Sequence, residues 1–208
     1  MENTAEYYLS SVKQNGFNVC KVPPSEQTYE ICLAAIQNEP CAIAYVSNKT
    51  SELCHIAVDL DPEALQFIET DAQTEEMCLR AIKKKPHLIH SVKNQTEEMC
   101  YLAVGLDSFA IEGVRQQTED LCFFALEINP ISIQFIVEPT EEMCLFAVKK
   151  MPNALYWIED PSKRVLDEVS RHDPSLPEIA RKERENRKQM KKQEEQKFYD
   201  NLAMEEFL

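Results

Sequence analysis

Glycine and tryptophan are scarce in this chain: 3 and 1 of 208 residues. No glycine-rich loop stands ready to cradle a phosphate, and neither an HExxH nor a nucleophile elbow occurs. The 8 cysteines include no CxxC pair, which is the usual spacing of a zinc site. No apolar run approaches the roughly 20 residues that cross a bilayer, and Met1–Lys13 lacks the basic-then-apolar order of a signal peptide. Positive charge is also short, with 22 Lys and Arg against 36 Asp and Glu and a formal charge of −14. Such a surface disfavours nucleic-acid binding, because counterion release needs a basic one. With no export signal, the thiols are expected to be reduced in a cytoplasmic compartment.

What the chain has in abundance is self-similarity. Aligned on Thr4, Thr28, Thr50, Thr74, Thr96, Thr118, Thr140 and Ser162, it repeats at intervals of 22 or 24 residues. Four places on stand Cys32, Cys54, Cys78, Cys100, Cys122 and Cys144, and seven places on stand Ala35, Ala57, Ala81, Ala103, Ala125 and Ala147. Twelve places on is Pro40, Pro62, Pro86, Pro130 or Pro152, with Gly16 and Ser108 as exceptions. In TEEMCLRAIKKKP, Thr74 is placed to cap a helix, glutamates fill its first turn and lysines its last. Met77, Cys78, Ala81 and Ile82 share one helical face. Pro86 stops that helix and suits the start of a second, about Pro86–Lys93, which buries Leu88, Ile89 and Val92. Helices this short need neighbours to be stable. The predicted fold is therefore all-α: a solenoid of about eight αα-hairpins over residues 1–177, followed by a charged tail, 178–208, helical or disordered. The two-residue additions fall between units, near Pro23-Pro24 and within Thr70–Gln73.

Leu9–Val22 (LSSVKQNGFNVCKV), Thr28–Val46 (TYEICLAAIQNEPCAIAYV) and the later TEEMC units resemble the helical repeats called domain of unknown function 4116. The resemblance spans about Thr4–Glu159. It implies a viral or intracellular-microbe origin and offers no catalytic residue to transfer.

Six cysteines in one column read as a ladder of small buried hydrophobes, with Cys20 and Cys41 as the more exposed thiols. His87 and His90 form an HxxH with no third ligand in view, and His55 and His172 stand alone. No cofactor is called for. The candidate partner-binding residues are of two kinds. Glu75, Glu76, Glu97, Glu98, Glu119, Asp120, Glu141 and Glu142 each serve a helix N-terminus, and stacking would line them along one negative edge suited to a basic partner. The tail balances 8 basic against 8 acidic residues from Glu178 onward, then ends in FYDNLAMEEFL. There Phe198, Tyr199, Leu202, Met204 and Phe207 would dock in a partner's groove or fold back on the array. Arg181, Lys182, Arg184, Arg187, Lys188, Lys191 and Lys192 lack the interleaved aromatics that stack bases and read as a solvated charge run. A non-enzymatic scaffold or adaptor for protein partners is the expected function. The alternative is a structural subunit of a virion or multisubunit assembly.

Overall fold

The computed structural model describes residues 4–205, with side chains through residue 198. All regular structure among them is helical, in two compact units, residues 1–121 and 122–208. The first holds α1 (Thr4–Gln14), α2 (Tyr29–Asn38), α3 (Ser51–Leu60), α4 (Glu75–Lys84), α5 (Glu97–Leu106) and the start of α6 (Glu119–Ile128). The second holds the rest of α6, then α7 (Glu141–Lys150), α8 (Lys163–Ser170) and the long α9 (Leu176–Glu205).

Helices α2 to α8 each begin where the sequence places a cap. The hydroxyls of Thr28, Thr50, Thr74, Thr96, Thr118, Thr140 and Ser162 accept the amide three residues on, at 3.3–3.4 Å. Helices α2, α3, α4, α6 and α7 end where a following proline forbids another turn. The second element of each hairpin differs from expectation, being a six-residue 3₁₀ helix and not an α-helix. Pro86–Ser91 is one example; Pro40–Tyr45, Pro62–Phe67 and Ser108–Gly113 are others in the first unit, and Pro130–Phe135 and Pro152–Trp157 lie in the second. Its opening bond is i→i−3, as in Leu88 N to Lys85 O at 3.0 Å. Six residues held between a proline and an extended exit leave room for two tight turns, which is the usual scale of 3₁₀ structure. Asp61, Asp107 and Asn129 cap these turns by accepting from the amide two residues on. The inserted residues form extra single turns, Pro24–Glu26 and Thr70–Ala72.

The core is the set of predicted columns. Ala35, Ala57, Ala81 and Ala103 are fully buried in the first unit, as are Ala125 and Ala147 in the second. The six column cysteines are buried, Cys20 is exposed and Cys41 is half-buried, and all eight are free thiols. Small side chains let elements approach closely. A Cβ on Gly113 would stand 2.9 Å from the His90 amide nitrogen, and one on Gly16 would stand 2.3 Å from the Ala35 carbonyl oxygen.

Candidate protein-binding surfaces

Three acidic pairs mark helix N-termini in the first unit: Glu75 and Glu76 on α4, Glu97 and Glu98 on α5, Glu119 and Asp120 on α6. All six residues are exposed. Among the described residues, no basic side chain pairs with any of them. The fourth pair, in the second unit, is different. Ser162 donates to Glu141, and Arg164 lies 3.3 Å from Glu141 and 3.7 Å from Glu142. The Ser162 hydroxyl and then Arg164 hold the Glu141 carboxyl below the usual carboxylate range. The four pairs therefore share a position in the repeat but not an electrostatic state.

Arg80 and Lys85 of the first unit pair with other acids. Arg80 reaches Asp59 at 2.9 Å and His55 Nδ1 at 2.8 Å. A guanidinium only donates, so His55 Nδ1 is an acceptor; His55 is not the isolated residue its sequence context suggests. Lys85 bridges Glu63 at 3.0 Å and Asp61 at 3.4 Å, and its hydrogen bond is the main reason the Glu63 carboxyl sits low. His87 and His90 are exposed and stack at 6.2 Å, with His87 Nε2 3.3 Å from Glu63 and His90 Nδ1 2.6 Å from the His87 carbonyl oxygen. Among the described residues, no group of three or more His, Cys, Asp or Glu could hold a metal ion. No described helix is long and apolar enough to cross a membrane.

A functional column went unread in the sequence: the residue before the capping threonine. It is glutamine at Gln27, Gln73, Gln95 and Gln117. The Gln73 amide donates to Leu65 O, Ile68 O and Ser91 O at 3.1–3.2 Å and accepts from Lys93 N at 2.9 Å. One side chain thus sews the end of one hairpin to the next. Gln27 makes the same set with Val19 O, Val22 O, Tyr45 O and Ser47 N. Gln95 joins Ile89 O, Gly113 O and Arg115 N. The visible signal was the fourfold Gln-Thr dipeptide, but a letter that recurs does not reveal which carbonyls it meets.

The tail forms one helix with the end of the array. Leu176 and Ala180 are buried. Arg184 donates to Leu155 O at 2.7 Å, Arg187 donates to Tyr156 O, and the Arg187 guanidinium lies 4.3 Å from the centroid of the Trp157 ring. Arg181 pairs with Glu178 and Glu185 at 2.8 and 2.7 Å, and Lys182 with Glu178 at 3.6 Å. Of the seven basic residues read as a solvated run, these four are therefore engaged within the chain. Phe198 is 62% exposed. The side chains of Tyr199, Leu202 and Met204, and Phe207 as a whole, lie outside the described residues.

These features define an all-α repeat protein built of helix–3₁₀ hairpins. No family model, curated protein or solved structure matches the chain.

Proposed function

We propose that the chain is a non-enzymatic scaffold or adaptor that binds a basic protein partner along the acidic edge of its first unit, with the tail as a second docking element. The observation that carries this is the contrast among the four acidic pairs. Three are exposed and lack a basic partner among the described residues, whereas the fourth is met by Arg164. A fold that needed those carboxylates only as helix-dipole partners would gain from neutralising all of them, since like charges about 10 Å apart repel within a Debye length. An intracellular setting, and the viral or intracellular-microbe origin that the domain of unknown function 4116 resemblance implies, belong to the same reading.

The test compares the wild-type chain with Glu75→Gln, Glu76→Gln, Glu97→Gln, Glu98→Gln in one variant. Partners captured from a source-cell extract should be basic, released by raised salt and lost with the variant while its helical content is unchanged. Equal capture by both chains would move binding off this edge.

A further inference from the structure

The glutamine clamp is absent at Lys49 in the first unit, and at Pro139 and Pro161 in the second, where the prolines stand before Thr140 and Ser162. At Pro161 the Leu155 carbonyl lacks the side-chain amide that four of its counterparts receive. Val19 O, Leu65 O, Ile89 O and Ile111 O take theirs from Gln27, Gln73, Gln95 and Gln117. At Leu155 the donor is Arg184 instead. Helix α9 therefore occupies the place of a following repeat and reproduces its clamp with a guanidinium.

The chemistry of this end face is specific. Two carbonyl oxygens at the negative end of a 3₁₀ helix and one tryptophan ring face two arginines spaced i and i+3 on one helix. Asp160 adds a carboxylate that attracts Arg184. A planar fork that donates in its plane and stacks by its face fits such a site, and an ammonium does not. Nothing in this contact set depends on both halves belonging to one chain. Only Arg171–Ser175 connect α8 to α9, and Ile179 and Met190 stay 45% and 60% exposed along the helix.

We propose that the Leu155–Trp157 face is a socket for an Arg-x-x-Arg helix, and that its partner in trans is α9 of a second copy of this chain. Two chains would exchange α9 and keep the Arg184 and Arg187 contacts with Leu155, Tyr156 and Trp157, changing only the link at residues 171–175, the low-cost route to a symmetric dimer. The competing cis helix, held on a short link, acts at an effective concentration on the order of millimolar, so exchange emerges as the protein is concentrated. This deepens the adaptor reading and rests on it for the tail as a docking element.

Trp157 is the sole tryptophan, so it reports the socket alone. The recipient is R184Q/R187Q, whose own α9 is weakened; the donor is W157F, which keeps both arginines and emits no tryptophan signal. Adding donor should return the recipient's emission toward that of the wild type, half-complete at about 0.1–1 mM. A donor carrying all three substitutions should do nothing. An unchanged emission to about 1 mM, or equal recovery with the triple variant, would overturn the proposal. Should the recipient lose its helical content, sedimentation equilibrium of the wild-type chain decides alone. A monomer–dimer equilibrium supports exchange, and a strict monomer at about 1 mM rejects it. Only the purified chain is used, so failure here leaves the extract capture on the acidic edge untouched.

Discussion

Hairpins in residues 1–121 and hairpins in residues 122–208 share their caps, their proline breaks and their buried Ala and Cys columns, yet close their seams differently. In the first unit Gln27, Gln73 and Gln95 each span neighbouring hairpins with three or four hydrogen bonds, while Lys49 holds that place before Thr50 and pairs with Glu69. In the second, prolines stand at the same places, and the last seam is filled by Arg184 and Arg187 from α9. Hydrophobic columns make hairpins stack. The polar clamp settles the carbonyls that stacking buries, which would otherwise carry a desolvation cost. At Pro161, Arg184 and Arg187 of the tail donate in its place.

The largest expected effect tests what the two units share. Ala81→Glu and Ala147→Glu each put an unpaired charge at a fully buried position. Each should cost on the order of 3–5 kcal/mol, read as a fall in the denaturation midpoint. If one is tolerated, the Ala column is not equivalent in the two units, and the comparison fails at its base.

The next effect tests what they do not share. Gln73→Ala removes the side-chain donor from three part-buried carbonyls, of which Leu65 O keeps Ile68 N, and the acceptor from the exposed Lys93 amide, a loss of about 2 kcal/mol. Pro139→Gln should do the reverse and supply the missing clamp, stabilising the chain by up to about 1 kcal/mol. Urea denaturation of both variants checks the pair. A harmless Gln73→Ala would show that the seam is held by apolar contact alone.

The caps, the breaks and the core were legible because each depends on spacing along one chain. Thr74 caps Met77 whatever lies beside them, and Ala81 falls on the buried face by helical period alone. The 3₁₀ form of Pro86–Ser91 was not legible: its apolar residues Leu88, Ile89 and Val92 fit a period of 3.0 and one of 3.6 alike over so short a stretch. The role of Gln73 depends on where carbonyls of two hairpins point after stacking. Arg184 and Arg187 sit in a run that composition alone calls solvated, and only the closeness of Leu155 O, Tyr156 O and Trp157 gives them partners. The acidic positions were found from the sequence, while the difference between Glu75 and Glu141 lay in Arg164 and Ser162, one hairpin further on.

A smaller effect follows from the thiols that both units carry. Burial raises the pKa of Cys32, Cys54, Cys100 and Cys144, and that of Cys78 to about 11. In the unfolded chain a thiol ionises near 8.5. The folded state prefers the neutral form, so this stability is whole below that pH and is lost as pH rises through about 11 at Cys78. The midpoint temperature should fall along that range, and Cys78→Ala should flatten the fall. At neutral pH, iodoacetamide should label Cys20 first and Cys41 second, leaving the column untouched until the chain unfolds. Early labelling of Cys144 but not Cys78 would mark the second unit as the one that opens first.

The smallest effect lies beside the missing clamp. Glu138 has φ of 51°, the one positive value at a non-glycine residue among the described residues, and precedes Pro139. A side chain in the left-handed region carries roughly 1 kcal/mol of strain that glycine avoids. Glycine also adds freedom to the unfolded chain, so Glu138→Gly should gain about 0.5 kcal/mol at most. Its sign still sharpens the contrast between units. In the first, the residue after each Gln-bridged carbonyl stays extended or helical, and the amide holds the exit in register. At Pro139 in the second, the exit turns through the strained Glu138 and a proline in place of that amide. If Glu138→Gly stabilises the wild-type chain but not Pro139→Gln, the restored amide has taken over the work of the strained turn, and the two devices are alternatives for closing one seam.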